Sequence, residues 1–170
     1  MMRKRLLLWL PLVTLIAGCA TLEQLKSFIQ PPRFDQVDGR PAEIRILPPS
    51  RNEPLGGAGV RLWMTVKNPN AFGLTISTLQ TTLLLENSRA ATGDFPLGLP
   101  LGAGQVSEIP VDLSISFADI PGLASVIRRA AAGEPVGYQL DGTVGVDAGR
   151  LGQPTFGPML LVRGEFGRQN

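Results

Sequence analysis

The residues of this chain that could do chemistry are one thiol, no imidazole and a scatter of carboxylates. Cys19 is the only cysteine and histidine is absent. Imidazole-based zinc sites, Ser-His-Asp or Cys-His catalysis and histidine pH switching are therefore excluded from this chain. It contains no G-x-S-x-G elbow, no Walker A loop and no G-x-G-x-x-G after a strand. Gly102-Ala103-Gly104 is a glycine pair in a loop without phosphate-binding context. The run from Asp141 to Asp147 repeats Asp and Gly at short spacing but lacks the alternating oxygen ligands and terminal glutamate of a calcium loop. Its alternation of Leu140, Gly142, Val144 and Val146 reads as a strand instead. Glu86, Asp94, Glu108, Asp112 and Asp119 each lie beside apolar strand residues. They are expected to face solvent, where charge also discourages edge-to-edge sheet pairing. The pattern points to no catalytic residue, no cofactor and no metal.

Cys19 itself has a specific context. Arg3-Lys4-Arg5 forms a basic start, Leu6 to Ala17 an apolar stretch, and Leu15-Ile16-Ala17-Gly18 leads into the cysteine. This order reads as a bacterial secretion signal with a lipobox, residues 1–18 being removed and Cys19 becoming the lipidated first residue. A stretch of twelve residues interrupted by Pro11 is too short to span a bilayer core, which needs roughly 20. Ala20 follows the cysteine. In enteric-type sorting that position permits transfer to the outer membrane, with the domain facing the periplasm. A host without an outer membrane would carry it on the outer face of the cytoplasmic membrane. The membrane, reached through Cys19, is the expected partner.

Removal of the signal reverses the charge balance. The chain has 16 Lys plus Arg against 14 Asp plus Glu, and Arg3, Lys4 and Arg5 leave with the leader. The remainder is slightly acidic, and no concentrated basic face is evident, so nucleic acid is not an expected partner. Ten aromatics in the whole chain also make a poor stacking platform. With its one cysteine at the anchor, the domain has no internal disulfide and must be held by its core.

The elements that position these residues begin after a tether, residues 19–36. Within it Thr21 to Gln30 places Leu22, Leu25, Phe28 and Ile29 near helical spacing before Pro31-Pro32 stops it. The segment reads either as a spacer or as a short amphipathic helix on the lipid surface. Residues 37–168 form the domain. Alternating runs at 42–47, 60–67, 74–86, 90–95, 106–117, 136–146 and 156–166 predict strands separated by Gly, Pro and Asn. Trp63, opposite the main apolar face of its strand, could pack under a neighbouring loop or form part of an exposed binding patch; a buried position between the sheets is the favoured expectation. Leu123, Val126, Ile127 and Ala130 repeat at helical spacing, with Asp119 as candidate N-cap, Pro121 in the first turn and Gly133 at C′. Seven or so strands and one helix predict an all-β, two-sheet β-sandwich with one connecting α-helix.

Three stretches together resemble the LEA type 2 family, whose core is the water stress and hypersensitive response (WHy) domain. They are Val66-Lys67-Asn68-Pro69-Asn70-Ala71-Phe72-Gly73-Leu74, Leu99 to Gly104 with the strand that follows, and Gly133-Glu134-Pro135-Val136 with Tyr138 to Val144. The likeness covers roughly residues 40–167. It implies an Ig- or fibronectin-III-like sandwich, a role in desiccation or other water stress, and no catalytic residues. Asn68, Pro69 and Asn70 also have a structural reason of their own, because proline ends the strand register and asparagine bonds back to nearby backbone. They read as a turn, a ligand-binding role being the alternative.

The resulting expectation is a non-enzymatic, lipid-anchored envelope protein that protects membranes or client proteins as water is withdrawn. An adaptor docking a specific partner through an edge strand or the helix at 119–132 is the alternative of a different class. Ala124, Ser125 and Arg128 on the outer face of that helix are expected to make a poor apolar dock.

Overall fold

A computed structural model describes residues 28–51 and 53–167; the signal, Cys19 and most of the 21–30 segment lie outside them. Among the described residues there are eight strands: β1 (Arg33–Gln36), β2 (Glu43–Leu47), β3 (Gly57–Lys67), β4 (Leu74–Leu85), β5 (Ser88–Leu101), β6 (Val106–Ser116), β7 (Val136–Asp147) and β8 (Thr155–Phe166). One helix, α1 (Ala124–Ala131), joins β6 to β7. The strands form two antiparallel sheets that pack as a sandwich. One has the order β5-β4-β7-β8. In the other, β3 pairs along its whole length with β6 and, on its opposite side, with β1 and β2 in turn.

β3 shows why the sheets close face to face. Ala58, Val60, Leu62, Met64 and Val66 are each at most 2% exposed, while Arg61, Trp63 and Thr65 alternate with them on the outer face. A period of two places one apolar set toward the other sheet and the polar set toward water. Ile76, Leu79, Leu83 and Leu85 of β4 and Leu140, Val144 and Val146 of β7 complete the core from the second sheet.

β1 and β2 are one edge strand broken in the middle. Gln36 lies opposite Met64 and Glu43 opposite Arg61, so the intervening residues make an excursion off the edge. Gly39, at φ +71°, turns that excursion, and Arg40 then reaches across the outer face onto the Trp63 ring, 4.6 Å from its centroid. Trp63 is therefore on the outer face under Arg40 of the 37–42 excursion, with Arg61 at 5.9 Å, as the loop alternative has it and not between the sheets. Arg61 itself grips Asp112 with Nε–H to Oδ1 at 2.6 Å and Nη2–H to Oδ2 at 3.1 Å, and that contact raises its pKa.

Two other expectations change in detail. The strand expected to stop at Phe95 runs on to Leu101 through Pro96 and Pro100. β5 pairs only with β4, and on an edge a proline's missing N–H costs no ladder bond if it points outward. The helix is not capped by Asp119. A 3₁₀ turn, Pro121–Leu123, leads into it, Ile120 and Leu123 occupy the cap positions, and neither makes a side-chain cap bond. The C-terminus agrees with the sequence. Gly133 adopts φ +85°, its N–H donates to Ala130 O, and Glu134 N–H donates to Arg129 O, the paired bonds of a Schellman motif. The five carboxylates expected at the surface are all exposed.

Candidate functional site

β3 runs out at Lys67 into Asn68-Pro69-Asn70, and the side chains here are buried, not solvent-facing. Asn68 is 0% exposed. Its backbone N–H donates to Gln105 O at 2.9 Å, extending the β3–β6 ladder by one bond. Its Nδ2 donates to Phe72 O at 2.7 Å, Gly102 O at 3.0 Å and Leu101 O at 3.3 Å. Its Oδ1 accepts from Asn70 N–H and from Asn70 Nδ2, both at 3.0 Å. An asparagine amide has two N–H donors and two lone pairs, and all are occupied. The bond from Asn70 N–H is the local turn that asparagine favours. The bonds to Leu101 and Gly102 are not local: they fasten the β3–β4 connection to the β5–β6 turn. Gln105 Oε1 accepts from Gly102 N–H at 2.7 Å and braces that turn at the surface.

Asn70 carries the bracket one step further. Its Oδ1 accepts from Gln30 N–H at 2.8 Å, and its Nδ2 donates to Gln30 O at 3.0 Å. The side-chain amide thus pairs with a peptide group as a strand neighbour would. Ile29 beside it is 3% exposed, Val37 is 8% exposed, and Phe34 packs against the core. The stretch expected as part of a tether is consequently docked from Ile29 onward, and β1 belongs to the sandwich. Phe28, one residue earlier, is 73% exposed.

Two concavities lie elsewhere. One of about 510 Å³ is lined by Gln36, Glu86, Tyr138, Gln139, Arg163 and Glu165 among others. Tyr138 packs against Phe166 at 4.8 Å between ring centroids, and burial pushes its phenol pKa up. Gly164 leaves room for that phenol, since an added Cβ would fall 2.7 Å from Tyr138 Oη. The second, of about 370 Å³, is a polar trough that includes Gln80, Thr82, Thr92, Asp94, Asp141 and Thr143. Asp141 there accepts from Gln139 Nε2, and Asp147 turns the next loop by accepting from Gly149 N–H. The 141–147 run is strand, paired with β4 up to Asp147 and with β8 as far as Gly145. Among the described residues no group of three or more acidic, histidine or cysteine side chains is placed to hold a metal. The five dispersed carboxylates do not converge: Glu86 pairs with Arg129, Glu108 with Arg40 and Asp112 with Arg61.

A family model for late embryogenesis abundant proteins, LEA_2, matches residues 64–159, more than half of the 170 residues. The chain belongs to the LEA_2 family. Its fold is shared with a solution structure from Arabidopsis thaliana, at a TM-score of 0.53 and 16% identity over 76% of this chain and 80% of that one. A solution structure of a candidate late embryogenesis abundant (LEA) protein has a TM-score of 0.49 and 21% identity, over 86% of this chain and 80% of that one. A crystal structure of a protein from Archaeoglobus fulgidus has a TM-score of 0.44 and 13% identity, over 77% and 98%. No curated protein matches the chain. The LEA_2 match opens in β3 and closes in β8, so it takes in Asn68 and Asn70 but not Gln30. The clamp on the incoming segment is thus made between the LEA_2 region and residues outside the match.

Proposed function

We propose that this protein is a non-enzymatic, lipid-anchored member of the cell envelope whose WHy-type sandwich protects membranes or client proteins during desiccation or other water stress. The observation that carries the reading is the LEA_2 match over residues 64–159. The lipobox ending at Cys19 supplies the location. Each buried methylene of an acyl chain contributes ~0.8 kcal/mol and one chain holds a protein only marginally, whereas two or more hold it stably. Bacterial lipoprotein maturation adds more than one. Ala20 after the cysteine permits transfer to the outer membrane in enteric-type sorting, which puts the domain in the periplasm; a host without an outer membrane would hold it on the outer face of the cytoplasmic membrane.

The edges of the sandwich suit a domain that must stay dispersed as its surroundings concentrate. Pro96 and Pro100 interrupt the β5 edge, Pro110 the β6 edge and Pro158 the β8 edge, and the β1–β2 edge is broken at residues 37–42. Open edges recruit other strands, and proline or a break prevents that. Three surface ion pairs, each with both partners roughly half exposed, keep the outer faces hydrated. The test is to dry or freeze–thaw a labile enzyme with the mature protein, beside equal masses of albumin and of an unrelated β-sandwich. Recovery of activity at least twofold above both controls is expected. Recovery no better than albumin would overturn the protective role.

A further inference from the structure

We propose that the end of the sandwich built around Asn68 and Asn70 rests on the lipid surface, with Phe28 and Val106 as apolar contacts and Arg33, Lys67 and Arg150 facing anionic headgroups. This rests on the reading of Cys19 as the lipid anchor. The distance is set by the chain. Nine residues lead from Cys19 to Phe28, a span of at most about 30 Å even when fully extended. The direction is set by the clamp. Because Asn70 holds both backbone groups of Gln30 and Ile29 is buried, the anchor segment leaves the domain at this end and at no other.

The surface presented there is suited to a membrane. Phe28 is 73% and Val106 52% exposed. Around them the connections at 71–73 and 102–104 expose small residues, Ala71, Gly73, Gly102, Ala103 and Gly104, which permit close approach. Arg33 and Lys67 are directly paired neighbours on β1 and β3, and Arg150 lies on the β7–β8 connection that reaches the same end. None of the three joins the salt bridges of the described residues. The one carboxylate among these connections, Asp147, is engaged by Gly149 N–H at 2.8 Å and Gln153 Nε2 at 3.2 Å. Asp35 and Glu108 lie opposite Thr65, two residues below the Lys67 row and so about 7 Å down the flank. They limit the contact to headgroup depth. The opposite end differs in balance: Glu53, Glu86, Asp119 and Glu134 lie there beside Arg51, Arg89, Arg128 and Arg129, and carboxylates matched by cations offer an anionic leaflet no net attraction.

The experiment uses the acylated full protein reconstituted into phosphatidylcholine vesicles containing one quarter phosphatidylglycerol. Cys19 is blocked by its lipid, so Val106→Cys or Ser125→Cys supplies a single thiol for an environment-sensitive fluorophore, and brominated lipids serve as the quencher. Flotation with the vesicles reports the anchor; quenching reports the docked face. The expected result is flotation of both variants with quenching at position 106 at least threefold that at 125. Adding Arg33→Gln and Lys67→Gln, or omitting phosphatidylglycerol, reduces quenching at 106 at least twofold without loss of flotation. Flotation with equal quenching at both sites overturns the docking while the anchor stands. Quenching at 106 indifferent to lipid charge and to the two substitutions overturns the assignment of the cations. Failure of the acylated protein to float overturns the anchor and the docking with it.

Discussion

The two ends of this sandwich are closed by different means. Where β3 turns into β4, the closure is a set of buried amide hydrogen bonds centred on Asn68, which is 0% exposed and bonded to three carbonyls and to Asn70. Where β6 crosses to β7, the closure is an apolar lid: Leu123, Ile127 and Ala130 of the crossing segment lie over the core beside Val136 and Phe166. Apolar burial is non-directional and tolerates exchange of shape for shape. A saturated amide is directional, and a partner lost inside the protein is costly because no water replaces it. The amide-closed end holds three chain segments, including the one arriving from the N-terminus, in a single arrangement. The lid needs only to cover the core.

Substitutions can break or sharpen that contrast. Asn68→Asp keeps the shape but turns a donor into a charged acceptor facing three carbonyl oxygens. Unfolding in urea at neutral pH is expected to show a loss of roughly 3–5 kcal/mol, the cost of a buried charge without a partner. Burial favours the neutral acid, raising the folded-state pKa of the new carboxyl, so the loss shrinks as pH falls through that raised value. A loss below 1 kcal/mol (roughly one ordinary hydrogen bond) would mean that the bracket carries little of the stability. Ile127→Ala in the lid is expected to cost about 3 kcal/mol through the cavity it leaves, whereas Ile127→Leu costs less than ~1.5 kcal/mol. A conservative swap as damaging as the truncation would show the lid to be as exacting as the bracket. Among the disruptive substitutions the smallest effect is expected at the clamp. Asn70→Ala removes the pair to Gln30 at a cost of about 1–2 kcal/mol, with amide exchange quickened at residues 29–36 and little altered in β4 to β8. Protection lost evenly across both sheets would show that the incoming segment is not a separable unit.

Much of the fold was legible because its determinants are local. The alternation of Val60, Leu62, Met64 and Val66 announces a half-buried strand, and all four are core residues. The helical repeat of Leu123, Ile127 and Ala130 and the positive φ of Gly133 were readable for the same reason. β1 escaped because four residues, Arg33-Phe34-Asp35-Gln36, with one partly buried side chain among them, carry too short a pattern to separate from a tether. Periodicity alone does not place Trp63 on the outer face, because its partner Arg40 arrives from a broken edge strand that no local pattern marks. Asp119 reads as a cap by residue type, yet the 3₁₀ turn at Pro121–Leu123 moves the helix start beyond its reach.

The sequence by itself determined the two-sheet alternation, the helix after Pro121 and its stop at Gly133, the absence of imidazole chemistry and the turn at Asn68-Pro69-Asn70. All of these depend on residues within a few positions of one another. Only the tertiary structure decided that Asn68 joins the β5–β6 turn, more than 30 residues away, and that Asn70 holds Gln30, 40 residues back. The partners of a buried amide are whichever backbone groups the packed strands bring within about 3 Å of it, and no local pattern in the chain specifies them.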